Sequence, residues 1–600
     1  MTGLNSSKPA VAAALALVMA WVLPLAAQEM VPLDIVPLAT PDLIDIEATT
    51  GVPVAAEAAA GSNGDADVEV EVGMVAAPDP EAAGLMEAAD GGFAFDMWAG
   101  SDRRLVERLL ARLPVGVTSR TINGLARRLL LSAAAVPEGP AAANLLALRI
   151  GRLAAMGDGV SVNHMMRAAP SHLDDTGLAQ TRLDALLLTA DFVGACAQAR
   201  DLMRQDDLPY WEKVLIFCQA LNADHAAAAF GVELLRERGV DDDPAFESLL
   251  AALAGADNIT LDSLPNPTAL HLAMLRTARL AVPEDAITNA DPAISRAIAL
   301  TATVPLDLRL RAAERAEALG SLPTETLAEL YESVPFKPEE MSDPWPRIES
   351  DKSALSRALM YQTIQIQVVP AARAEALRAS WMLGAEAGGW DGFATAARLT
   401  LGELLRLRPL PELVWIAGDA ARALLAARRP DAAGPWIDLA RTQAGVNAEA
   451  ANAVAGLAPI IGFVDAAGVQ PWDSERFTAW WEVQGETPGR DRHARAELLF
   501  ALLLAFDREP PTEALLALLE RPGPVWVRTP PEALLRQIDR AAAAGRVGET
   551  VLLALTLLDS SASGVPGAMV LGSAVGALYR IGLLADARAL AVEILLSREF

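Results

Sequence analysis

Five times between residues 188 and 595, two stretches rich in leucine and alanine are separated by a short turn containing Gly or Asp. Small side chains beside such a turn let two antiparallel helices approach closely, and hairpins of this kind need only a short connection. The copies span residues 188–200, 220–235, 424–440, 543–555 and 578–595. The pattern predicts helical hairpins that stack, each covering the exposed apolar face of its neighbour.

The composition favours the same architecture along the whole body of the chain. Alanine supplies 120 of the 600 residues, and hydrophobic residues together make up 52%. Because alanine and leucine are strong helix formers and β-branched residues are comparatively few, an all-β fold is excluded. We therefore predict an all-α fold, an α–α superhelix of roughly 11–14 stacked hairpins after an acidic N-terminal tether.

The last hairpin resembles tetratricopeptide-type helical repeats. Tyr579, Gly582, Ala585, Ala587 and Ala591 stand near the positions of that family's aromatic and small signature residues. The copies are irregularly spaced, and no strict 34-residue period runs through the body. The resemblance implies binding of a protein or peptide on a curved surface, and it implies no catalytic residues.

Residues 1–27 are typical of a secretory signal peptide. Lys8 precedes an apolar stretch at residues 11–23, and Pro24 and Ala27 follow it. We predict cleavage after Ala27 and a periplasmic location; the alternative is an uncleaved segment, which would be the only attachment to a membrane.

Residues 28–100 contain 15 acidic residues and no Lys or Arg. Such a segment has too little apolar surface to order itself, so we predict a disordered linker. With a net charge of −28, the whole chain repels nucleic acid and anionic membrane surfaces, which we exclude as main partners.

Proline-rich segments divide the body into three predicted regions. The first break covers residues 336–352, and a second lies at residues 521–531. The helical regions are residues 101–335, a tryptophan-rich middle region at 353–520, and tetratricopeptide-like hairpins at 532–600.

Recognisable catalytic chemistry is missing from the sequence. Its five histidines are scattered without metal-binding spacing, and no phosphate-binding loop or nucleophile motif is present. We predict no enzyme activity, no metal and no cofactor. The arginine pairs at 127–128 and 428–429 are interpreted as helix surfaces.

Aromatic residues concentrate in the middle region, and they allow two interpretations. The candidate partner-binding residues are Trp381, Trp390, Phe393, Trp480 and Trp481. They could line a groove for a peptide or a glycan strand, because Trp offers a large apolar area with a polar N–H. They could equally pack between helices as core.

Cys196 and Cys218 are the only cysteines. In an oxidising compartment they could bridge two neighbouring helices, and otherwise they would be buried thiols. We expect a periplasmic scaffold or adaptor for a protein or peptide of the cell envelope. The alternative is a glycan-binding accessory protein or a cell-wall enzyme with a helical superhelix.

Overall fold

The computed structural model describes residues 79–168, 176–240, 243–256, 259–289, 291–464, 472–484, 492–520, 530–559 and 566–598. The signal peptide predicted for residues 1–27, most of the linker predicted for residues 28–100 and most of the second proline-rich break lie outside these residues. Within them the regular secondary structure is helical, and one isolated β-bridge joins Met86 and Ser132. The predicted all-α fold is confirmed.

The described residues form 28 α-helices and four short 3-10 helices. The α-helices are α1 (Arg103–Leu110), α2 (Arg120–Leu131), α3 (Leu145–Ala155), α4 (Gly159–Ala168), α5 (Thr176–Leu188), α6 (Phe192–Leu202), α7 (Pro209–Leu221), α8 (His225–Glu237), α9 (Pro244–Leu253), α10 (Ala269–Ala278), α11 (Pro292–Leu300), α12 (Leu306–Ala318), α13 (Thr324–Glu332), α14 (Pro338–Ser342), α15 (Trp345–Ser350), α16 (Ala354–Ile366), α17 (Pro370–Leu399), α18 (Leu401–Leu405), α19 (Ala417–Ala426), α20 (Pro430–Gln443), α21 (Ala448–Val464), α22 (Ser474–Val483), α23 (Arg492–Ala505), α24 (Thr512–Leu519), α25 (Glu532–Ala543), α26 (Val547–Leu557), α27 (Ala568–Arg580) and α28 (Leu584–Ser597). The 3-10 helices are Pro80–Ala82, Ala88–Asp90, Glu284–Ile287 and Pro411–Ile416. No helix in the described part of the chain is both long enough and apolar enough to span a membrane.

Each of the five sequence repeats folds as two helices joined by a three-residue turn. The third turn residue donates its backbone N–H to a carbonyl five residues earlier, as Asp191 does to Leu186 at 2.9 Å and Leu583 does to Leu578 at 3.0 Å. This bond ends a helix when the residue before it adopts positive φ. The positive-φ residues of the five turns are Ala190, Ala223, Arg428, Gly545 and Gly582.

The hydrophobic core does not follow the three regions that the sequence predicts. One cluster of buried side chains joins residues 93–178 to residues 348–596, and a second cluster is built from residues 183–361. Helices α1 to α4 therefore pack with the C-terminal half of the chain, although they belong to the region predicted at 101–335. Residues 76–600 form one compact unit, and the break at 336–352 folds into α14 and α15 with Ile348 buried.

Residues 79–100 pack onto the helical body, so the disordered linker predicted for residues 28–100 is wrong in this last part. Phe93, Met97 and Trp98 are buried. The backbone N–H of Gly548 at the start of α26 donates to the carbonyl of Met97 at 2.9 Å. The three apolar side chains bury enough surface to order this short stretch despite its acidic composition.

Cys196 on α6 and Cys218 on α7 form a disulfide, with Cα atoms 5.9 Å apart. It links two consecutive hairpins, because α6 pairs with α5 and α7 pairs with α8. The two hairpins of this part of the array are thus held together covalently as well as by packing.

Candidate binding cavities

The two ends of the helical array meet around a cavity of about 460 Å³, which we call the central cavity. Its wall comes from the start of α2, the second half of α17, the α19–α20 turn, the end of α21 and α28. The lining residues with charged side chains are Arg120, Asp391, Arg398, Arg428, Asp586, Arg588 and Glu593. The aromatic ones are Trp390 and Phe463.

Glu317 on α12 anchors two of these arginines. Its side chain is 0% exposed, and its carboxylate oxygens lie 2.6 Å from Arg120 Nη2 and 2.7 Å from Arg398 Nη2. The hydroxyls of Thr324 and Thr395 also donate to it, at 2.8 and 2.7 Å. Burial raises the pKa of Glu317, but hydrogen bonds and positive charge from Arg398 and Arg120 outweigh it, so the pKa lies below its ordinary value.

Glu593 and Asp586, both on α28, have partners at the other end of the chain. Glu593 accepts hydrogen bonds from the backbone N–H groups of Arg120 and Thr121, at 3.1 and 3.2 Å, and from the Thr121 hydroxyl at 2.7 Å. A carboxylate in this position satisfies N–H groups of the first turn of α2 and faces the positive end of its dipole. Asp586 accepts two hydrogen bonds from Arg128 Nη1, at 2.8 and 3.0 Å.

Asp391 lines the cavity from α17. Burial raises its pKa above the ordinary value, and a hydrogen bond with Thr118 and the charge of Arg398 only partly oppose this. The Asp391 carboxyl therefore ionises less readily than an ordinary aspartate.

Arg428 and Arg588 are held differently from the other two arginines. Arg428 is the central residue of the α19–α20 turn, with φ 59°, and its Nη2 donates to the Thr121 hydroxyl at 2.6 Å. Arg588 on α28 is half-buried, and it forms no hydrogen bond or ion pair with any residue that the structure describes. The interpretation of the arginine pair 428–429 as a helix surface is wrong for Arg428, which belongs to a turn and lines a cavity.

The five aromatic residues singled out in the sequence lie in two ring stacks. Trp381 and Phe393 are buried, and Trp390 stacks on Phe393 at 6.0 Å and lines the central cavity. On α22, Trp480 is buried and Trp481 is half-buried. Trp381, Phe393 and Trp480 therefore pack in the core in this structure, while Trp390 and Trp481 keep part of their rings accessible.

Core packing of the first stack is completed by a hydrogen bond. Trp381 Nε1 donates to the Thr400 hydroxyl at 3.0 Å, so the polar group of this buried indole has a partner. In the second stack Phe477 contacts both tryptophans, and the guanidinium of Arg492 lies 4.5 Å from the Trp481 ring centre.

A larger opening of about 1050 Å³, the lateral cleft, lies between α3, α4, α5, α10 and α11. Most of its wall is made of small residues and of hydroxyl or amide side chains. The small ones include Gly151, Ala154, Ala155, Gly159, Ala185, Ala269, Ala293 and Ala297. The polar ones include Asn163, Gln180, Thr181, Thr189, Thr268, Thr301 and Thr303.

Asp184 and Tyr210 lie together in the wall of the lateral cleft. The Tyr210 hydroxyl donates a hydrogen bond to Asp184 Oδ1. Burial raises the pKa of Asp184 to about 6, and this hydrogen bond only partly opposes the shift. Burial, and then the Asp184 carboxylate, also raise the pKa of Tyr210. Burial also raises the pKa of Asp291, a second carboxyl group in the wall of this cleft.

Within the described residues, no group of three or more His, Cys, Asp or Glu side chains is arranged to hold a metal ion. No protein-family model, curated protein or solved structure matches the chain.

Proposed function

We propose that this chain is a periplasmic helical-repeat scaffold or adaptor that binds a protein or peptide partner of the cell envelope. The observation that carries the proposal is the lateral cleft. Its volume of about 1050 Å³ lies at the upper end of the range for small-molecule sites, which is roughly 300–1,000 Å³. A cleft of this size, open between hairpins, accommodates a short extended segment of polypeptide.

The chemistry of the cleft wall suits a peptide backbone. Small residues allow the main chain of a partner to approach closely, and the hydroxyl and amide groups supply donors and acceptors for its N–H and C=O groups. Arg276 Nη2 donates to the Thr301 hydroxyl at 3.3 Å, and Arg296 Nη1 donates to the Gly157 carbonyl at 3.1 Å. These contacts hold two cations at the cleft without closing it.

Two further features support the location and the class of partner. A disulfide between Cys196 and Cys218 persists in an oxidising compartment, which agrees with the signal peptide predicted for residues 1–27. The likeness of the hairpins to tetratricopeptide-type repeats supports peptide binding. We favour a peptide over a glycan because none of the five aromatic residues singled out in the sequence lines the lateral cleft.

A bulky side chain in the cleft provides the test. Ala185 on α5 lines the cleft with its side chain exposed, so Ala185→Trp fills the opening without entering the core. Ala229→Trp on α8 is the matched control, an exposed helical alanine that does not line the cleft. Peptides selected on the wild-type protein from a display library should bind Ala185→Trp at least about tenfold more weakly by calorimetry, and Ala229→Trp equally well.

Two results would overturn the proposal. One is a selection that enriches no peptide on the wild-type protein. The other is an Ala185→Trp variant that binds the selected peptides as tightly as the control while its circular dichroism spectrum is unchanged.

A further inference from the structure

The central cavity is lined by more basic than acidic side chains. Four arginines and three carboxyl groups line it. Glu593 is engaged by the N-terminal turn of α2, and Asp586 is paired with Arg128, which lies outside the lining. Asp586 is thus paired outside the cavity. Glu593 lies one hydroxyl away from Arg428, because Thr121 Oγ1 donates to Glu593 at 2.7 Å and accepts from Arg428 Nη2 at 2.6 Å.

The charges of two of the four arginines are offset by a carboxylate that does not line the cavity. Arg120 and Arg398 share the buried carboxylate of Glu317. Their contribution to the field inside the cavity is therefore reduced, and their main role is to join α2, α12 and α17.

Arg428 and Arg588 keep their charge without a partner of opposite sign among the described residues. The hydrogen bond of Arg428 goes to a neutral hydroxyl, that of Thr121, and Arg588 makes none. A second cation, Arg508, is close to Arg588: burial, and then the charge of Arg588, lower the pKa of Arg508. In a protein of net charge −28, two arginines thus line this cavity without a direct ion pair to a described residue.

The backbone at Arg428 is in a conformation that side chains with a Cβ rarely adopt. Its φ is 59°, a conformation shared by the equivalent residues of the other four hairpin turns, which are Ala190, Ala223, Gly545 and Gly582. An arginine at this position places its guanidinium beside Thr121 at the cavity wall.

The rest of the lining includes apolar side chains. Trp390 and Phe463 contribute rings, and Val592 and Leu596 contribute aliphatic side chains from α28. A volume of about 460 Å³ lies within the usual range for small-molecule sites. A ligand that fits this cavity therefore has an anionic end and an apolar body.

We infer that the central cavity binds a small organic oxyanion, with its carboxylate or phosphate on Arg428 and Arg588 and its apolar part against Trp390 and Phe463. The planar guanidinium group pairs with either anion in a two-point geometry, so the two are recognised by the same chemistry. This site is separate from the lateral cleft, which shares none of these residues.

Calorimetry on the full chain with three probes tests the inference: 4-phenylbutyrate, phenyl phosphate and the neutral 4-phenylbutan-1-ol. We expect one molecule of at least one anion to bind, and the alcohol to bind at least about tenfold more weakly, because a charge-assisted hydrogen bond is lost. The relative affinities of the two anions identify the oxyanion that the site prefers.

Arg588→Gln and Arg428→Gln should each weaken binding of the preferred anion by about tenfold or more. The control is Arg536→Gln, which removes an exposed arginine of α25 and should leave the affinity within about twofold. The circular dichroism spectrum of Arg588→Gln should match that of the wild-type protein, since Arg588 makes no ion pair or hydrogen bond with a described residue. Protection of Arg588 from phenylglyoxal by the anion, read by peptide mass spectrometry, gives a measurement on the wild-type protein.

The inference is overturned if neither anion binds the folded wild-type protein at millimolar concentration. It is equally overturned if the alcohol binds as tightly as the anions, or if both arginine variants retain the wild-type affinity.

Discussion

The carboxylate of Glu317 lies 2.6 Å from the guanidinium of Arg120, although 197 residues of chain separate them. Arg120 begins α2, which packs with the C-terminal half of the chain, whereas Glu317 is near the end of α12 in the other core cluster. The same carboxylate binds Arg398 on α17. One buried charge therefore joins three helices that are distant in sequence.

Glu317→Gln should destabilise the protein strongly. The substitution keeps the size of the side chain but leaves Arg120 and Arg398 without a counter-charge. We expect a loss of about 2–4 kcal/mol in the free energy of unfolding, since breaking a buried pair costs about 3–5 kcal/mol and both arginines retain some contact with water. Urea unfolding followed by circular dichroism measures it.

The matched control for Glu317 is Glu532→Gln, which breaks an exposed ion pair with Arg536 and should cost less than about 1 kcal/mol. The stabilisation by Glu317 also has a defined pH dependence. Because its pKa is lower in the folded chain than the ordinary 4.5, the contribution is present above that pH and is lost as the pH falls. Equal unfolding curves for the wild-type protein and Glu317→Gln at neutral pH would contradict this role.

The hairpins could be predicted from the sequence because their signals are local. Each turn is specified within about ten residues, which contain the end of one helix, a residue with positive φ and the start of the next helix. The five repeats therefore locate five turns. A sixth turn of this kind joins α3 to α4 through Gly157, and the repeat pattern does not include it. Such turns are recognisable wherever small residues flank them.

The contacts between the first and the last helices of the array could not be predicted from local sequence patterns. The contacts that make it, such as Arg128 with Asp586 and Thr121 with Glu593, join residues more than 450 positions apart. Nothing in the local pattern of either segment specifies the other. The candidate cavity residues Arg428 and Arg588 were missed for this reason, because the cavity forms only where these distant segments meet.

Asp184 should make stability depend on pH between about 4 and 6. The pKa of this carboxyl is raised from 3.8 to about 6 in the folded chain, so the folded state binds more protons in this window than the unfolded state. Stability contributed by protonated Asp184 is therefore fully present below about pH 4 and is lost as the pH rises through 6. Asp184→Asn does not titrate, and its stability relative to the wild-type protein should rise by about 2 kcal/mol from pH 4 to pH 7.

Unfolding free energies of both proteins at four pH values between 4 and 7 test this effect. Tyr210→Phe serves as the companion variant: without the hydrogen bond that opposes the shift, the pKa of Asp184 rises further and the pH-dependent window extends upward. Parallel stability curves for the wild-type protein and Asp184→Asn would rule out this contribution.

Reduction of the Cys196–Cys218 disulfide should lower stability by about 3 kcal/mol. The bond closes a loop of 22 residues, and the chain-entropy relation gives this value for a loop of that length. The double variant Cys196→Ser, Cys218→Ser should unfold at lower urea concentration than the oxidised protein, and a reductant should shift only the wild-type curve. Mass spectrometry of the unreduced protein after alkylation is the direct check, and modification of both thiols would refute the bond.

Gly548→Ala should weaken the attachment of residues 79–100 to the helical body. A Cβ at this position of α26 would lie 2.5 Å from two ring carbons of Trp98 and 3.0 Å from the Met97 carbonyl. The ring and the backbone must move apart, at a cost of about 1–3 kcal/mol that the higher helix propensity of alanine offsets only partly.

Gly402→Ala is the control, because no atom lies within 4 Å of its Cβ position, and it should leave stability unchanged or raise it by up to about 1 kcal/mol. Urea unfolding compares the stability of the two variants. Limited proteolysis near Trp98 should proceed faster in Gly548→Ala alone. If Gly548→Ala resists proteolysis as well as Gly402→Ala does, residues 79–100 are not held by α26.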